Sequence, residues 1–148
     1  MVDETEFRQA LFSANLQNCT FGKAVLSRCC GCSLVAKHYI AERESIVCSD
    51  ASYRENCHSL HQLLRHNSAF ALKHIHDDDP FTHAQEMKLQ CGGLKGLQDA
   101  VEGTESVADV ASLVESACRK FGTLESLPFS KIVQSIAAFK IRKRHNVE

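Results

Sequence analysis

Tryptophan is absent from this chain, and only two prolines and seven glycines punctuate its 148 residues. A sandwich of strands leans on those two punctuating residue types at its many corners, so their scarcity favours helices. No window approaches the roughly twenty consecutive apolar residues that a membrane span requires. The opening MVDETEFRQALF has neither a basic leader nor an apolar core, which argues against a secretory signal and for a reducing, cytoplasmic setting. Charge of one sign is lacking as well: with 24% charged residues and a formal net charge of −1, uniform attraction to nucleic acid is excluded. Serine-hydrolase, kinase, Walker and dinucleotide signatures are missing, so the sequence points away from an enzyme.

What the chain has in quantity is cysteine, eight residues of it. In a reducing compartment disulfides are rare, and clustered thiols read first as metal ligands, redox groups or buried apolar side chains. The densest stretch is CCGC at residues 29–32, followed by Cys48 and Cys57. Thiolate is the softest ligand a protein offers, and it selects zinc, copper(I) or iron–sulfur clusters over the hard ions that carboxylates hold. The expected ligands are Cys30, Cys32, Cys48 and Cys57, with Cys29 and Cys91 in reserve. Whether Cys29 or Cys30 points inward is open, because either can close a small chelate ring with Cys32. The spacing lacks the second CxxC of a zinc ribbon and draws on several elements, which favours an iron–sulfur cluster, with zinc as the alternative. Cys118 falls on an apolar helical stripe and reads as structural, and Cys19 carries no assignment.

Histidine is the second enrichment, with eight residues in the chain. His61 lies one helical turn beyond Cys57, so the two side chains share a face and can grip one metal, which makes His61 a further candidate ligand. Glu55 and His58 match the Glu-x-x-His pattern of di-iron bundles, but only one copy occurs where two are needed.

Length and composition describe one domain over 1–148, a size at which a core forms without metal. Its cysteine- and histidine-rich half covers 1–76, and simpler amphipathic helices cover 82–145. The predicted fold is all-α, an irregular bundle of about six helices with the cysteine-rich loop at one end. Asp3 and Glu6 make a capping box for a helix from 4 to about 17. Residues 22–47 read as helix, with a short strand near 45–47 as the alternative. Asp50 or Ser49 caps a helix carrying Tyr53, Cys57, Leu60 and Leu64 on one face, and Asn67 caps another. The acidic run at 76–79, closed by Pro80, is a solvated break. Thr82 starts a helix that Gly92 and Gly93 interrupt. Residues 106–121 form a helix ending at Gly122, and Pro128 opens the last one.

The functional expectation is an iron–sulfur protein in electron transfer or redox sensing, working with a redox or acidic protein partner. The alternative is a zinc-stabilised or metal-free interaction module. Its docking element would be the basic KIRKR at 140–144, with Arg142, Lys143 and Arg144 exposed together. No aromatic residues interleave that cluster to stack bases, which disfavours nucleic acid as the partner.

Overall fold

The computed structural model describes residues 17–40, 43–74, 79–101 and 107–140, with backbone alone for residues 17, 37–40 and 43–45. Helix dominates these residues, in keeping with the scarcity of glycine and proline. Residues 4–16 of the expected first helix, residues 76–78 of the acidic run and the basic residues 141–144 lie outside the described residues.

A small antiparallel sheet is the departure from the all-α expectation. Strand β1 (Gln17–Asn18) lies beside β3 (Arg43–Cys48), which pairs on its other edge with β2 (Val35–Ile40). The helix expected over 22–47 reduces to α1 (Gly22–Leu26), and the rest becomes the β2–β3 hairpin. Val35, Tyr39, Ile40, Ile46 and Val47 are β-branched or aromatic residues, which fit a pleated surface better than a helix, and no helical period opposes them.

Helix α2 (Ala51–Ser68) starts as predicted, because the Asp50 carboxylate accepts the backbone N–H groups of Ser52 and Tyr53 at 2.9 and 3.1 Å. Its Leu60, Leu64 and Ser68 recur every four residues and are buried. Asn67 caps nothing; it sits inside α2 and donates its amide to the Leu63 carbonyl. Beyond Pro80, the capping box of Thr82 and Gln85 starts α3 (His83–Met87).

Gly92 and Gly93 do not interrupt the helical path. The chain continues through a π-helical turn (Lys88–Gly92) into α4 (Gly93–Val101). These glycines serve packing rather than a break: a Cβ at Gly92 would stand 2.7 Å from Ile136 Cα, and one at Gly96 would stand 2.9 Å from Ser135 Cβ. Both neighbours belong to the last helix, α6 (Phe129–Ala138), which follows Pro128. Between them runs α5 (Val110–Phe121), whose end at Gly122 requires φ of +87°.

One continuous core draws on both sides of the acidic run: Phe21, Leu60 and Leu64 meet Leu89, Leu94, Leu97, Val114, Ile132 and Ile136. No helix among the described residues is long and apolar enough to cross a membrane.

Candidate functional site

The hairpin does what a helix over 22–47 cannot do: it brings three cysteines to one edge of a sheet. Cys48 ends the central strand and pairs in register with Gln17 on one side and Val35 on the other. Cys19 follows β1 by one residue and Cys32 precedes β2 by two loop residues, so both lie beside that end of the sheet. The backbone N–H of Cys19 donates to Ile46 O at 2.9 Å and fixes the first of them. Cys57 arrives from the side, on the second turn of α2.

The loop carrying Cys30 and Cys32 is docked by its backbone. Gly31 N–H donates to Val107 O at 3.3 Å, and Gly31 O accepts Val110 N–H at 2.9 Å. A Cβ at Gly31 would stand 3.0 Å from Ala108 O, which accounts for the glycine inside CCGC. Asp109, at the start of α5, accepts from Ser33 N and Ser33 Oγ at 3.0 and 3.1 Å. The Cys57 helix is tied to the same α5 by Tyr53 Oη, which donates to Glu115 at 2.6 Å.

Cys19, Cys32, Cys48 and Cys57 line a small cavity of about 10 Å³, walled also by Leu34, Val35, Val110, Ala111 and Arg54. Four cysteines from distant parts of the sequence therefore face one space. Cys30 is close enough for its charge to act on Cys57, but it does not line the cavity.

Burial dominates the electrostatics. It pushes the Cys57 thiol up to about 12, and the charges of Cys19, Cys32, Cys48 and Cys30 add to the push. Cys30 rises to about 12 through burial and the charges of Cys19 and Cys32. For Cys19 burial gives about 11 against the opposing Phe21 N–H and the Arg54 guanidinium. Cys32 is raised by burial and by Asp109, to which its thiol donates, while the backbone N–H groups of Leu34 and Ala111 pull the other way. Asp109 itself stays below the usual carboxylate value: burial works to raise it, and its donors, Ser33 and Ser112 foremost, outweigh that. Without a positive centre among them, these sulfurs are thiols at neutral pH.

The donor set suits a thiophilic metal, since it offers four soft sulfurs and no competing carboxylate on the cavity wall. As the side chains stand, however, no group of three or more His, Cys, Asp or Glu among the described residues is arranged to hold a metal ion. The thiols share a cavity without forming a finished coordination shell.

Neither a family model, a curated protein nor a solved structure matches the chain.

The remaining sequence candidates lie elsewhere. Cys29 and Cys91 are joined as a disulfide that ties the CCGC loop to the π-helical turn, and Ser27 Oγ donates to Cys29 Sγ at 3.3 Å. Cys29 is thereby engaged with Cys91, and neither Cys29 nor Cys30 lines the cavity. His61 does not line the cavity either. Its ring meets Phe21 edge-on, and its Nε2 donates to the Glu86 carboxylate at 3.0 and 3.1 Å. Burial works to raise the Glu86 carboxyl, but His61, the Gln90 amide and Lys23 together hold it below its usual value. Glu55 and His58 are exposed. Cys118 is half-buried and packs against the core, as its stripe position implies.

Cys19 is the residue that sequence reading misses. Its only signal is indirect, the β-branched and aromatic content of 35–40 and 43–48, because the strand ends must be paired before Cys19 meets Cys48.

Proposed function

We propose that this protein is a cysteine-ligated metal protein, that its occupant is an iron–sulfur cluster, and that it transfers electrons or senses redox state rather than converting a substrate. The observation that carries the reading is the four-cysteine cavity, assembled from a strand end, two loops and a helix. Structural thiols scattered through a core have no reason to gather so, because sulfur packs as well beside leucine as beside sulfur. Ligands drawn from several elements and hydrogen bonds to sulfur are both features of cluster sites. A redox protein partner belongs to the same reading, while the Cys29–Cys91 disulfide counts against the reducing, cytoplasmic setting that the sequence suggests.

A single zinc ion is the second reading, and the cavity volume of about 10 Å³ favours it, since that is roughly the room of one small probe sphere. Anaerobic purification with iron, zinc and acid-labile sulfide analysis separates the two. The cluster reading expects brown protein with iron and sulfide in comparable amounts; the zinc reading expects colourless protein with zinc and no sulfide. Protein free of both metals after anaerobic purification contradicts the whole proposal.

A further inference from the structure

We infer that the Cys29–Cys91 disulfide is a redox-active site that exchanges with an external dithiol, Cys29 being the sulfur attacked and Cys91 the one that leaves and later closes the bond again. The inference deepens the redox-sensing part of the proposed function and needs no metal.

The two sulfurs are unequal. Cys91 is 3% exposed and belongs to the core, whereas Cys29 is half-buried, follows the exposed residues Ser27 and Arg28, and only packs against the core from outside. A thiolate arriving from solvent therefore meets Cys29 first, and access decides which sulfur is attacked. Ser27 Oγ stands 3.3 Å from the Cys29 sulfur and 3.8 Å from the Cys91 sulfur. One exposed hydroxyl can thus turn to whichever sulfur carries charge during the exchange.

The pair is also held in place without its bond. Helix α1 closes through Arg28 at φ +66°, the left-handed turn of a helix end, and Cys29 N–H returns to Ala24 O at 2.9 Å. Gln90, next to Cys91 in the π-helical turn, accepts the N–H of the same Ala24 at 3.1 Å. Its amide in turn donates to Glu86 at 2.7 Å, and Glu86 is paired with His61. Beyond Cys29, Gly31 exchanges hydrogen bonds with Val107 and Val110. Opening the disulfide removes one covalent link and leaves this alignment, so the two thiols stay at high effective concentration and reform the same bond. π-Helical turns within helices recur at functional sites, and this one carries Cys91.

In the exchange, one thiolate of the dithiol bonds to Cys29 Sγ, and the Cys29–Cys91 bond breaks with its electron pair going to Cys91, which takes up a proton. The second thiol of the dithiol then attacks its own sulfur in the mixed disulfide and releases Cys29 as a thiol. Two electrons and two protons reach the cysteines, and the dithiol departs as a cyclic disulfide.

The test treats the full chain with dithiothreitol at neutral pH, in buffer and in urea below the unfolding transition, and reads Cys29 and Cys91 by alkylation and peptide mass spectrometry. Both thiols are expected to appear together at a rate that urea leaves unchanged, with the native circular dichroism kept. Oxidised glutathione should then restore Cys29–Cys91 in preference to Cys29–Cys32, the pairing that the CCGC spacing offers instead. Reduction only in step with unfolding, or return as Cys29–Cys32, overturns the inference. Single variants assign the attacked sulfur: oxidised glutathione is expected to modify Cys29 in Cys91→Ser and to leave Cys91 unmodified in Cys29→Ser. Modification of Cys91 at an equal or higher rate overturns the order of attack. Metal analysis of the same parent chain keeps the two readings apart. Native exchange in a metal-free chain supports this inference while contradicting the metal site, and a metal-bearing chain whose disulfide opens only on unfolding overturns this inference alone.

Discussion

At the scale of single residues, burial dominates the thiols of Cys19, Cys32 and Cys57 on the cavity wall and of Cys30 beside it. In metal-free protein Cys57 and Cys30 are held near about 12 and Cys19 near about 11, against 9.0 for an ordinary thiol. Three units mean roughly a thousandfold less thiolate for the first two, and thiolate is the reactive form. Iodoacetamide at pH 8 is therefore expected to modify these cysteines far more slowly in the native metal-free chain than in the unfolded one, as peptide mass spectrometry can follow. Equal rates in the two states would contradict that burial. Alkylation under denaturing, non-reducing conditions addresses the disulfide: the peptides of Cys29 and Cys91 are expected to stay linked while the six other cysteines are modified. Modification of Cys29 in those conditions contradicts the pairing.

At the scale of elements, local chemistry was readable and pairing was not. Asp50, Thr82, Gly122 and Pro128 each punctuate a helix where the sequence puts them, because a cap or a fixed φ is decided by one or two neighbours. Of the hairpin over 35–48 only the alternative strand near 45–47 was legible, and it lies within β3; the rest escaped because its apolar residues follow no clean period and strands are recognised only once they pair. The candidate site followed the same division: Cys32, Cys48 and Cys57 were legible from their clustering, whereas Cys19 needed the register that puts Gln17 opposite Cys48. The glycines of QCGG read as a break, yet their missing side chains let the π-helical turn and α4 press on α6. Gly92→Ala is accordingly expected to destabilise the protein by about 1–3 kcal/mol through overpacking, measured by urea unfolding. A change within about 0.5 kcal/mol would mean that α6 yields freely, contrary to so close a contact.

At the scale of the whole molecule, titration limits stability from both sides. Glu86 and Asp109 ionise more readily folded than unfolded, so their contributions are present above their unfolded values of 4.5 and 3.8 and are lost as pH falls through the lower folded values. The buried thiols act in the opposite sense: their folded values exceed 9.0, so the native state loses stability as pH rises from there toward about 12. Thermal unfolding of metal-free protein should show both limbs, and Glu86→Gln should flatten the acid one; an unaltered acid limb would remove Glu86 from this account.

The proposed metal binding would couple to the same fold, since the four cysteines meet at one cavity only when sheet and helix are in place. X-ray absorption at the metal edge of the anaerobically purified chain tests that claim most directly. The account predicts a first shell of sulfur alone, at roughly 2.3 Å. A shell of nitrogen or oxygen at roughly 2.0–2.1 Å would contradict it.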